Sequence, residues 1–432
     1  MRHQDSVHSD NYPTSYYVAS VNQQPAYPHL NSNKTVDVCI IGGGFTGIST
    51  ALELAERNYQ VCVLEAHQVG WGASGRNGGQ LIRGIGHGTE QFRNLIGQEG
   101  IDAIWHMGIE AVEIVKERVA KYQIDCDLTW GYFDAATKPK HLRQLADYYQ
   151  ESTQRNYSYP LKWVNQAELC SVVGANGYIG GLVDMGSGHL HPLNLCLGEA
   201  AAATQLGVEI YEKSPVTAIE PGLHPTVKTP YGQVKANAVV VGCNAYLGQL
   251  LPQLAGKVLP AGSYIIATEP LTDSLAQQLL PQNMAVSDQR ITLDYFRLSA
   301  DKRLLFGGLC HYSGQHPGNI SQALRPNMLK VFPQLASVNI DYQWGGYIGI
   351  GANRMPQLGV LDQNIYYAQA YSGHGLSATH MMGRLMAEAL SGQLERFDVF
   401  ANIKHLTFPG GPLLRSPLLA LGMLYYRLKD CF

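Results

Sequence analysis

The heptapeptide Ile41-Gly42-Gly43-Gly44-Phe45-Thr46-Gly47 constrains this chain more than any other stretch. It satisfies G-x-G-x-x-G through Gly42, Gly44 and Gly47, a weak pattern when it stands alone. Its setting narrows it. The preceding VDVCIIG is a short, almost continuous apolar run, which reads as a buried parallel strand. TGISTALELAERN (46–58) carries apolar residues at helical spacing, and YQVCVLE (59–65) reads as a second strand. Strand, glycine turn, helix and strand make a βαβ unit. In such a unit Gly42 makes the tight turn, Gly44 lets backbone approach a pyrophosphate, and Gly47 lets helix and strand pack closely. Phe45 and Thr46 open the helix, whose N-terminal N–H groups favour an anion. Glu65 ends the second strand, placed to hydrogen-bond a ribose 2′-hydroxyl and to repel a 2′-phosphate. The plainer alternative is a glycine turn beside a surface glutamate.

The chain has 432 residues, enough for two or three folding units. Its 46 glycines are neither periodic nor paired with high proline, which excludes collagen and low-complexity disorder. Only 15% of residues are charged, 31 basic against 34 acidic, with no basic run to track a phosphate backbone; nucleic acid is not an expected partner. The eight cysteines are scattered without a CxxC pair, so neither disulfide staples nor a metal site is expected. The polar N-terminus lacks a signal-type apolar region, and no apolar run reaches membrane-spanning length. A cytoplasmic location is the expectation.

After Glu65 comes GWGASGRNGGQ (70–80), a small-residue loop suited to backbone passing over a second ligand segment. FAD, with its longer body, needs such a loop more than NAD does, and no second dinucleotide fingerprint exists for a nicotinamide. Further along, the spacing predicts a helix over 100–123 with Ile101, Ile104, Trp105 and Ile109 on its apolar side, and a helix opening at Pro192. From 255 to 345, SYIIATEP, ITLDYFRLSA and RLLFGGL alternate apolar and polar residues, as in a half-exposed antiparallel sheet. A last helix follows at GLSATHMMGRLMAEALSG.

DVCIIGGGFTG, VLEAHQVGWGASGRNGGQ, GHLHPLNL, LDYFRLSADKRLLFGG and YSGHGLSATHMMGRLMAE together resemble the D-amino acid oxidase/sarcosine oxidase (DAO) family of FAD-dependent oxidoreductases. The resemblance covers nearly the whole chain. It implies an α/β fold: a Rossmann-like FAD-binding domain from residues 36–100, 175–250 and 345–432, and an α+β substrate domain with an antiparallel sheet from 101–174 and 251–344. Residues 1–35 would form an extended arm. Gly42, Gly44 and Gly47 would cradle the pyrophosphate and Glu65 the adenosine ribose. Ala73, Ser74, Asn77, Gly78 and Gly79 would line the path to the flavin, and Val216 would meet the adenine through its backbone. Gly373, His374, Gly375 and Leu376 would meet the flavin's pyrimidine edge, where a helix N-terminus stabilises negative charge. Read without the family, Ser372 would be an N-cap and His374 merely exposed. Some relatives bind FAD through a cysteine shortly before this segment; WGGYIGIGANRMPQLG has none, so non-covalent FAD is expected.

The implied chemistry is oxidation of a carbon next to an amine nitrogen, with O2 as the electron acceptor. Among the family the similarity points to members acting on γ-glutamylputrescine. The alternatives are another amine or amino acid such as sarcosine or a D-amino acid, a quinone-linked dehydrogenase, and a non-catalytic dinucleotide-binding subunit. His189 and His191, at i and i+2 in GHLHP, are candidates for the pocket; both could equally be satisfied by backbone beside a helix start. Tyr295 and Arg297 share a strand face by period two. If it looks at the flavin, Tyr295 walls the amine and Arg297 pairs a substrate carboxylate; the opposite register turns Arg297 to solvent. The C-terminal LLALGMLYYRL reads as a helix packed on the FAD domain. Oligomeric state is not readable.

Overall fold

The computed structural model describes residues 11–290, 292–311 and 317–411; the C-terminal LLALGMLYYRL lies outside them. Two sheets organise these residues. In the first, the strand Lys34–Ile41 pairs in parallel with Val61–Leu64 on one side and Gly232–Val241 on the other. Glu209–Tyr211 and Ile365–Gln369 extend it in parallel, and Gln357–Leu361 closes it antiparallel. Residues 38–41 are apolar and buried throughout because both their faces are covered. Val38 and Ile40 face a core with the helices Phe45–Ala55, Pro192–Gln205 and Leu376–Leu390, whereas Cys39 and Ile41 face a second core with Leu30, Leu247 and Leu254.

The predicted βαβ unit forms as Lys34–Ile41, Phe45–Ala55 and Val61–Leu64. The helices Phe45–Ala55 and Leu376–Leu390 approach so closely that a Cβ on Gly383 would lie 2.4 Å from Ser49 Oγ. Beneath them Arg118 donates to Glu53 and Glu199, both at 3.0 Å, and His380 meets Glu199 at 3.1 Å. All four side chains are buried. Burial raises the Glu53 carboxyl, but Arg118, Arg384 and Arg57 outweigh it and hold it at about 2.

The second sheet runs Ile340–Ile350, Leu259–Thr268, Leu304–His311, Tyr295–Leu298, Ala285–Asp288, Thr129–Ala136, Gly180–His189 and Gln80–Leu81, with Leu161–Asn165 also on Gly180–His189. Its pairs are antiparallel except Ala285–Asp288 on Thr129–Ala136. One face carries Phe133, Val183, Val286, Phe296 and Phe306 into an apolar core. Two segments sit differently from the boundaries expected above. The helix Arg93–Lys121, broken at Gly97, packs on Phe45–Ala55 and Leu376–Leu390 in the first core. The strand Gly180–His189 belongs to the second sheet. Its glycines concealed it from apolar alternation, yet they permit the pairing: a Cβ on Gly181 would lie 2.1 Å from Asp134 O, and one on Gly188 2.3 Å from Thr129 O.

The arm is anchored rather than merely extended. It forms a short helix at Tyr16–Ala19 capped by Ser15. Tyr17 is fully buried, its ring 4.9 Å from His191 and 5.2 Å from Trp344.

Candidate functional site

A cavity of about 1170 Å3 runs between the two sheets. Its lining includes Glu65, Pro215, Val216, Gly242 and Cys243, the glycine turn, the 72–78 loop, and Gly373, His374, Gly375 and Leu376. Gly42 turns at φ +107, and a Cβ there would meet Gly242 O at 3.1 Å. Gly44 is the helix N-cap and has no side chain to cap with. Ser74 Oγ accepts from Phe45 N (2.9 Å), while the N–H groups of Gly44 and Thr46 have no protein acceptor among the described residues. Open donors at a helix start are what an anion requires. Gly47 lies outside the lining, for its part is packing: a Cβ would sit 1.9 Å from Gly42 O.

Glu65 accepts from Gly43 N (2.6 Å) and His67 N (2.8 Å). Burial nevertheless raises its carboxyl above the ordinary range. Val216 lies just before the strand Ala218–Glu220 rather than within one, and its backbone N–H and C=O make no hydrogen bond among the described residues. That leaves both free for a base edge. These open donors and acceptors, strung along a cavity of this length, fit an elongated dinucleotide. Cys243, the cysteine lining the cavity among the described residues, donates to Ile41 O (3.5 Å).

Of the loop residues, Ala73, Ser74, Asn77 and Gly78 line the cavity. Gly79 does not; it turns at φ +71 with its N–H on Asn77 Oδ1 (2.8 Å). Ser372 does not cap the helix Leu376–Leu390: its Oγ donates to Ala370 O (3.2 Å). The helix start therefore carries no side-chain cap. His374 is not exposed. Its Nε2 donates to Ile82 O (3.3 Å), and burial lowers its pKa.

His189 and His191 are buried away from the cavity lining. His191 is the N-cap of Pro192–Gln205: its Nδ1 accepts from Asn194 N (3.1 Å), which leaves Nε2 to donate to Ser20 Oγ (3.1 Å). A protonated ring could not accept. Burial and the Arg297 charge hold its pKa at about 3. His189 Nε2 donates to Asn283 O (2.7 Å), and burial and Arg297 hold this ring at about 3 as well. Arg297 faces neither solvent nor the cavity. It is buried, donating to Gly78 O (2.8 Å), Leu298 O (3.1 Å) and Tyr17 OH (3.2 Å). Tyr295, two residues earlier on that face, does line the cavity. Its ring lies between Gly78 and Gly307, where added Cβ atoms would fall 2.5 and 2.0 Å from it.

Sequence reasoning missed most of the remaining wall. Across the second sheet Asp184 pairs with Tyr132, Asp134 with Ser287, and Ser287 with Tyr295. Alternation turns this set into the cavity, opposite Phe133, Val183, Val286 and Phe296. The available signal was polar Asp134 at period two within the apolar strand TWGYFDAA. Ile101, Ile104, Trp105 and Ile109, expected as a core stripe, also line the cavity.

A family model described as FAD dependent oxidoreductase (DAO) matches residues 37–389. The chain is 44% identical over 418 residues to Gamma-glutamylputrescine oxidoreductase of Escherichia coli K12, covering 96% of this chain and 98% of that one. It is 40% identical to the Probable oxidoreductase OrdL of Haemophilus influenzae, covering 96% and 97%. Among solved structures, glycine oxidase from Geobacillus kaustophilus superposes with a TM-score of 0.71 at 20% identity, over 86% of this chain and all of that one. L-proline dehydrogenase from P. horikoshii gives 0.70 at 20% identity, over 86% and 97%. These two share the fold.

Proposed function

The chain belongs to the FAD dependent oxidoreductase (DAO) family, and we propose that it oxidises the terminal amine of γ-glutamylputrescine. In this reading amine, dioxygen and water become γ-glutamyl-γ-aminobutyraldehyde, ammonia and hydrogen peroxide. The observation that carries it is the near full-length 44% identity to the Escherichia coli oxidoreductase named for that amine.

When bound, FAD supplies the hydride acceptor and passes the electrons on to dioxygen. The chain's own residues bind and orient. The N–H groups of Gly44 and Thr46 hold the phosphates, Glu65 the ribose, and the Val216 backbone the adenine. The uncapped start of Leu376–Leu390 offers N–H groups and a dipole to the flavin's negative edge. The first sheet is thus the cofactor half and the second the substrate half. Tyr295, wedged over Gly78 of the cofactor loop, fixes where a substrate carbon can approach. Tyr132, Ile104 and Trp105 exclude water from the amine's side of the cavity.

FAD-loaded protein with γ-glutamylputrescine in air tests this. One peroxide and one ammonia per amine consumed are expected. Turnover without peroxide, on adding an artificial acceptor, would replace the oxidase by a dehydrogenase; no turnover at all would remove the substrate.

A further inference from the structure

Besides Glu65, five carboxylates line the cavity among the described residues: Glu90, Asp134, Glu151, Asp184 and Asp288. Four have an arginine as counter-ion. Glu90 pairs with Arg93, Glu151 with Arg155 (2.9 Å), Asp184 with Arg83 (2.6 Å) and Asp288 with Arg290. Asp134 is the exception among the described residues. Its one hydrogen-bond partner is the neutral amide of Gln289, whose Nε2 donates to Oδ1 at 2.7 Å.

Asp134 sits on the wall between the Arg83–Asp184 pair and Tyr295, with Ser287 opposite it in register. The hydroxyl of Ser287 is already engaged with Tyr132 OH. A carboxylate facing a cavity without an ion-pair partner of its own has an unmet electrostatic demand, because a low-dielectric wall penalises an unpaired charge and the nearby Arg83 is already bound to Asp184. That demand shows in its titration: burial and Asp184 push the carboxyl up, Arg83 and Gln289 pull it back, and it settles at about 7.

We propose that Asp134 is the ammonium subsite of this cavity, the group that receives the terminal amine of an N-acylated diamine as its counter-ion. The inference rests on the amine reading above and adds the residue that selects a charged end over a neutral one. It also gives the amine somewhere to leave its proton. One N–H bond breaks as one Asp134 O–H bond forms, and the electron pair stays on nitrogen, as loss of hydride from the adjacent carbon requires.

The test is equilibrium binding to FAD-loaded enzyme, read by calorimetry with two probes. One is a γ-glutamylputrescine analogue with two methyl groups on its amine-bearing carbon, which has no hydrogen there to lose. The other replaces the ammonium by a hydroxyl. Asp134→Asn is expected to weaken the ammonium probe about tenfold or more and leave the hydroxyl probe unchanged. A second readout needs no variant: wild-type affinity for the ammonium probe should rise as pH increases through about 7, and that for the hydroxyl probe should not. Around Asp134, Asp184 and Asp288 are ion-paired with Arg83 and Arg290, and burial moves Tyr132 and Tyr157 up and His87 and His374 down, away from this window. Equal binding by D134N, or a flat wild-type profile, overturns the subsite while the amine reading stands. Failure of the wild type to bind either probe overturns both.

Discussion

Replacing Gly47 by alanine tests the glycine turn at its tightest point. The added Cβ would lie 1.9 Å from Gly42 O, where real Cβ contacts essentially never fall below 3.0 Å. Gly42 O is backbone in the turn itself, so relief requires the helix Phe45–Ala55 to move away from its strand by about 1 Å. Overpacking of this kind costs about 1–3 kcal/mol. The shift also displaces the open N–H groups of Gly44 and Thr46, so FAD affinity should fall at least ~10-fold, a loss of about 1.4 kcal/mol or more. Gly373→Ala is the control. Unlike the helical Gly47 it sits at a positive φ (+87), but it meets nothing closer than Ile348 Cδ1 at 3.7 Å, so its cost should be backbone strain alone, ~1–2 kcal/mol. Urea unfolding of FAD-free protein measures the first quantity, and fluorescence titration with FAD the second. A Gly47→Ala protein with wild-type midpoint and wild-type FAD affinity would refute the packing argument.

Three further outcomes follow from the buried groups. His191→Asn keeps a capping side chain but removes the titration. The wild-type ring is neutral in the fold at about 3 and takes a proton near 6.5 when unfolded, so its stabilisation is complete above 6.5 and lost as pH falls toward 3. The variant should therefore gain on the wild type in thermal midpoint from pH 7.5 to pH 5, with kcat unchanged at pH 7.5; a pH-independent difference would contradict the assignment. Arg118→Leu leaves buried Glu199 with His380 alone and weakens the hold on Glu53, and should cost about 3–5 kcal/mol in urea unfolding, where a wild-type midpoint would show the network contributes nothing. Tyr295→Ala should lower kcat/KM for the amine about tenfold with FAD affinity little changed, whereas Tyr295→Phe should keep most activity; equal activity of all three would remove Tyr295 from the wall.

The first sheet and its glycine turn were legible because their signals are local. An apolar run covered on both faces, a glycine at each close approach and an acid at the end of the next strand lie within one βαβ unit. The cavity wall on the second sheet depends on register between strands far apart in sequence. Asp134 and Ser287 meet across 153 residues, and nothing in either segment names the other. Arg297 shows the limit of alternation: its face was assigned correctly with Tyr295, but the cavity ends between them. His191 shows a different limit. A histidine before Pro192 reads as chemistry, yet the helix needed an acceptor at that position and took its ring nitrogen.

The most direct measurement is the visible spectrum of the FAD-loaded protein, without oxygen, before and after γ-glutamylputrescine is added. The account predicts bleaching of the oxidised flavin band and its return when air is admitted. An unchanged spectrum with substrate in excess would contradict it.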